Sequence, residues 1–139
     1  WSAQVAETRR ILQEEAELQE VVRLVGVDAL AVKDRMTLEA ARSIREDYLH
    51  QIAFDEVDTY TSPEKQYGML HLILQWYHKS EEAVAAEVPF EAVMRMPVLE
   101  QIGRMKRIHE DQWDSRFAEI SKELEDEFAA LMEEESDHA

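Results

Sequence analysis

The sequence predicts an all-α fold, a helical bundle of about four longer helices with short helical turns between them. Three observations carry that prediction. Only 3 Gly and 3 Pro interrupt 139 residues. Apolar residues recur at gaps of three and four along most of the chain, the period of a helix with one packed face. No Val/Ile/Thr-rich alternating segment offers a strand, and no internal repeat is visible. At this length a single domain can bury roughly two-thirds of its unfolded surface, enough for a conventional core.

Taken in order, Ser2 is the expected N-cap of a long first helix with Ile11, Leu18, Val21, Val22 and Val25 at helical spacing, and Gly26 is its C-terminal stop. A turn from Gly26 to Asp34 then leads into a second helix carrying Met36, Ala40, Ile44, Tyr48, Leu49 and Ile52 on one side. So short a connection makes the two helices antiparallel neighbours. Thr61-Ser62-Pro63-Glu64 reads as the next start, with a hydroxyl cap, an early proline and Glu64 placed for a capping box. The third helix, to about Glu87, is the most apolar element, with Tyr67, Leu70, Ile73, Leu74, Trp76, Tyr77 and Val84. Pro89 and Pro97 bracket a short helical turn at Phe90–Met94, since neither can sit inside a helix without losing a hydrogen bond. A short helix from Val98 to about Arg107 follows. The last helix starts near Glu110 with Trp113, Phe117, Ile120, Leu124, Phe128 and Leu131 as its stripe. Leu18, Val22, Ile44, Leu70, Ile73, Leu74 and Tyr77 are the expected core, and residues 133–139 an acidic, frayed tail.

Composition excludes several functions. Lys plus Arg total 15 against 31 Asp plus Glu, a net charge of −16, which repels phosphate backbones and anionic membranes, so neither nucleic acid nor direct membrane insertion is expected. The absence of cysteine removes disulfides, thiolate metal sites and a cysteine nucleophile. Gly26, Gly68 and Gly103 lie at least 35 residues apart and none precedes a lysine, so the chain holds no phosphate loop. His71 and His78 are two helical turns apart, roughly 10 Å along the axis, too far for one metal ion; they read as surface histidines. Asp55, Glu56 and Asp58 form a carboxylate cluster without an accompanying base or metal motif, and read as loop solvation. Arg104, Lys106 and Arg107 are the one dense basic patch, too small for nucleic acid and expected to pair with the acidic surplus.

Three ordered blocks carry a resemblance. Ile11 to Gly26 is the first. Ile44-Arg45-Glu46-Asp47-Tyr48-Leu49, continuing through Ala53-Phe54-Asp55-Glu56-Val57-Asp58-Thr59-Tyr60 to Pro63-Glu64-Lys65-Gln66, is the second. Pro97-Val98-Leu99-Glu100-Gln101-Ile102-Gly103-Arg104-Met105-Lys106 is the third. Together they closely resemble the C-terminal region of the catalytic A subunit of V/A-type ATP synthases, the rotary proton or sodium ATPases. The resemblance covers about residues 8 to 107; the last helix matches in character only. It implies a single C-terminal helical bundle, residues 1–139, cut from a longer subunit whose barrel and nucleotide-binding domains are absent.

It implies further that ATP or ADP with Mg²⁺ binds the full subunit, that this piece alone binds none and is inactive, and that no residue in it is catalytic. Its partners would be the B subunits of the catalytic hexamer and the central stalk, in a peripheral complex on the cytoplasmic side of a membrane. By the same resemblance, Phe54 and, less directly, Tyr48 match aromatic residues that line the adenine pocket. The turn from Asp28 to Asp34 matches an acidic lever that contacts the stalk, with Asp28, Leu30, Val32 and Asp34 as the contact residues. Asp28, Leu30 and Asp34 keep the lever's pattern. Ala31, Val32 and Lys33 depart from it, which favours an apolar, shape-based contact. Thr61 stands where the family often has cysteine. The rival reading is a free-standing acidic adaptor, whose last helix would offer its apolar stripe to a partner helix. A third is a small enzyme built on Asp55, Glu56 and Asp58.

Overall fold

The computed structural model describes residues 1–49 and 61–138, and among these every regular element is helical. Helix α1 spans Ser2–Val25 and α2 Val32–Ser43, the latter running on as a π-helical stretch, Ile44–Leu49. Helix α3 spans Pro63–Ala85, α4 Phe90–Met94, α5 Val98–Arg104 and α6 Trp113–His138. Single turns of 3₁₀ helix at Val27–Ala29 and Met105–Arg107 make the tight corners.

The all-α expectation holds, and α3 is its axis. It packs most extensively against α6, next against α2, and more lightly against α1, α4 and α5. Its residues say why: Met69, Leu70, Leu72, Ile73, Leu74, Trp76 and Tyr77 are all buried, so apolar side chains cover most of its circumference rather than one stripe. Opposite them lie Met36, Ala40 and Ile44 from α2, and Phe117, Ile120, Leu124 and Phe128 from α6. The small Ala40 and Ala41, both fully buried, allow close backbone approach. Gly68 does the same toward α6, since a Cβ there would stand 2.8 Å from the Phe117 ring.

The start of α3 follows from its sequence. The Ser62 hydroxyl accepts the Lys65 backbone N–H at 3.1 Å, and Pro63 sits where a missing N–H costs nothing. With Ser62 as the cap, Glu64 falls one residue short of the capping-box position, and Lys65 takes that place. Lys65 is itself buried and donates to the carbonyls of Lys106 at 2.9 Å and Ile108 at 2.6 Å, fastening the second 3₁₀ turn to the head of α3. At the other end Glu87, at φ 72°, turns the chain so that the Val88 N–H returns to the Ala83 carbonyl at 3.0 Å.

Several sequence expectations are corrected. The cap of α1 is Trp1, not Ser2, and it makes no side-chain bond. Of the seven expected core residues, Ile44, Leu70, Ile73, Leu74 and Tyr77 are buried, but Leu18 and Val22 are only half-buried. The reason is geometric: α1 packs chiefly on α2 and only lightly on α3, and of its side chains only Thr8 and Ile11 are buried. Its distal turns have a neighbour on one side only. Val32 and Asp34, expected in the turn, already belong to the first turn of α2. The acidic residues from 133 onward continue α6 to His138.

Candidate functional site

Two places are candidates, the tip where α1 turns into α2 and the end of the second helix. At the tip Gly26 adopts φ 89°, a region costly to any residue with a Cβ. Its N–H bonds to the Val22 carbonyl at 2.8 Å, closing α1. The Leu30 N–H reaches the Val27 carbonyl at 3.1 Å, and Ala31 accepts from Asp34 and Arg35 to open α2. The turn therefore satisfies much of its backbone internally, leaving its side chains available. Asp34, acidic in the first turn of α2, complements the positive end of the helix dipole.

Those side chains are unexpectedly apolar. Leu24 is 77% exposed and Val25 64%, and Val21, Val27 and Val32 are exposed as well. Of the residues singled out from the sequence, Asp28 and Val32 are exposed, while Leu30 and Asp34 are half-buried. The sequence reading missed Leu24 and placed Val21 and Val25 on the packing face. A signal was present, because Val21, Val22, Leu24 and Val25 point to more faces of one helix end than a single neighbour can cover. Beneath the tip the Thr37 and Tyr77 hydroxyls bond at 3.0 Å in a buried position, and burial holds the Tyr77 phenol above its ordinary pKa.

At the end of the second helix, Tyr48 is only 8% exposed, and burial raises its phenol pKa. Next to it burial pushes the Asp47 carboxyl up, opposed by the Ser43 hydroxyl, which donates to Oδ2 at 2.7 Å, and by the charge of Arg42. The π-helical widening here shifts the register of Ile44 and Tyr48 relative to α2, a device common at functional sites. Phe54, and with it Asp55, Glu56 and Asp58, lies outside the described residues.

The remaining candidates resolve simply. His71 and His78 are exposed and face α1, with His78 Nε2 at 2.7 Å from Glu7 and His71 Nδ1 at 3.3 Å from the Gln4 amide oxygen. No group of three or more His, Asp or Glu suited to a metal occurs among the described residues. The pairing expected of Arg104, Lys106 and Arg107 is not seen as an ion pair within 4 Å among the described residues; Lys106 acts on Asp47 at longer range. The stripe of α6 that the adaptor reading needs is packed inside, with Phe117, Ile120, Leu124 and Phe128 all buried. No helix among the described residues is long and apolar enough to cross a membrane.

Residues 1–94 match the model of the C-terminal domain of V and A type ATP synthase. The chain belongs to that family. It is 58% identical over 135 residues to the V-type ATP synthase alpha chain of Acetivibrio thermocellus, covering 97% of this chain and 23% of that one. To the alpha chain of Thermoanaerobacter pseudethanolicus it is 51% identical, covering 96% and 22%. To that of Clostridioides difficile it is 48% identical, covering 95% and 22%. The chain thus spans less than a quarter of the length of these relatives, at their C-terminal end.

Proposed function

We propose that this bundle is the lever of a rotary ATPase catalytic subunit. It would close one side of the adenine pocket near Phe54 and press the α1–α2 tip against the central stalk, coupling ATP hydrolysis or synthesis to proton or sodium transport. The observation that carries the reading is the apolar tip. Exposed leucine and valine at one end of an otherwise acidic chain mark a contact surface, and membership of a V/A-type ATP synthase family supports the central stalk as its occupant. The contact is one of shape and apolar area, because Val32 and Lys33 stand where acids or proline would be expected in a purely electrostatic lever.

The rest of the molecule suits a part that transmits motion. The Tyr77–Thr37 bond and the α3-centred core make the tip move with the bundle, so a displacement at the nucleotide end reaches the stalk without being absorbed. Tyr48 sits in the core and would act by fixing the base of the segment that carries Phe54, which is the better candidate to stack on adenine. With no phosphate loop of its own, the bundle contributes orientation and one apolar wall, while phosphates and Mg²⁺ are held elsewhere in the subunit together with the B subunits.

In the assembled complex, Leu30→Ser with Val32→Ser should leave ATP hydrolysis running while lowering ion transport per ATP. Unchanged transport would assign the tip another role. Phe54→Ala in the full subunit should raise KM for ATP about tenfold with a smaller change in kcat, the signature of lost uniform binding.

A further inference from the structure

A cavity lined by described residues lies away from both sites just described. It is a groove of about 620 Å³ between the start of α1, α3 and α6, within the size range of pockets that hold a ligand or an anchoring side chain, roughly 300 to 1,000 Å³. Gly68 and Phe117 form its floor, and Tyr67 and Trp113 its walls, the Trp113 ring meeting Phe117 at 5.5 Å. Trp1 stands at its rim, 52% exposed, with its ring 5.4 Å from that of Tyr67, itself 42% exposed. Four large aromatic side chains, Trp1, Tyr67, Trp113 and Phe117, thus line one open depression in an acidic chain. The lone glycine between them is what lets α3 and α6 approach closely enough to give it a floor.

We propose that in the complete subunit this groove is filled by the segment of the same chain that immediately precedes Trp1, which makes it a seam within the subunit rather than a contact between subunits. The proposal rests on the reading of this chain as the C-terminal part of a longer subunit. Two observations select the occupant. The relatives carry more than three-quarters of their length ahead of the matched part. Trp1 itself lies on the rim, so a chain entering it is held within 3.8 Å per residue of the groove. A segment tethered there has a very high effective concentration beside an apolar surface, and no separate partner can compete with it on equal terms. The Gln4 amide, which donates to the Tyr67 carbonyl at 3.4 Å, holds the entry of α1 against this wall.

Hydroxyl-radical footprinting of the full-length catalytic subunit, purified free of its partners and then in the assembled complex, tests this without any mutation. Tyr67 and Trp113 should be oxidised about tenfold more slowly than Leu24 and Val25 in the free subunit, after correction for intrinsic reactivity, and should not change on assembly. Rapid oxidation of Tyr67 in the free subunit overturns the proposal, whether or not assembly then protects it. Leu24 and Val25 report separately on the lever: they should become protected only on assembly, and their failure to do so would count against the stalk contact while leaving the groove assignment standing.

Discussion

Helix α3 and the distal half of α1 are both rich in branched aliphatic side chains, yet they end in opposite environments. Leu70, Ile73 and Leu74 are sealed between α2 and α6, whereas Val21, Leu24 and Val25 face outward. Hydrophobic content alone does not distinguish them. The number of neighbouring helices does, because α3 is flanked on several sides and α1 rests mainly on α2. Polar residues at these exposed positions would cost the fold little, and the proposed stalk contact is what would account for apolar ones there.

The contrast can be broken most forcefully in the core. Leu74→Ala should cost roughly 2 to 5 kcal/mol, the loss of transfer energy plus an unfilled cavity, read as a lower midpoint in chemical denaturation. A cost under about 1 kcal/mol would mean that α3 is not the axis of the bundle.

A smaller effect sharpens the boundary between core and surface at the end of the second helix. Burial raises the Asp47 carboxyl above its ordinary pKa, so its ionisation opposes folding. That opposition is fully present above the raised folded value and is relieved as pH falls through it. Asp47→Asn should therefore raise Tm slightly at neutral pH, and the gain should shrink in the acid range where the native carboxyl is protonated. A gain that grew on acidification would reverse the assigned direction.

Much of this fold was legible in the sequence. Proline and hydroxyl signals located the start of α3 and the bracketed helix Phe90–Met94, and the three-and-four spacing of Phe117, Ile120, Leu124 and Phe128 gave the packed face of α6. The half-exposed Leu18 and Val22 were not legible, because periodicity tells which face of a helix is apolar and not how many helices lie against it. The candidate site was read in another way. Asp28, Leu30, Val32 and Asp34 came from resemblance, whereas the exposure of Leu24 and Val25 required the packing of α1. Lys65 shows a further limit: its charge and helix-start position suggest solvent, and only the tertiary placement of the Lys106 and Ile108 carbonyls explains its burial.

The claim that the tip is apolar for a partner rather than for stability is tested most directly by Leu24→Ser with Val25→Ser, measuring ions moved per ATP hydrolysed in the assembled motor alongside Tm of the subunit. The expected Tm change corresponds to no more than about 0.5 kcal/mol per site, as for other exposed substitutions, with hydrolysis retained and transport per ATP clearly reduced. Normal transport at unchanged stability, or a collapse of stability, would contradict it.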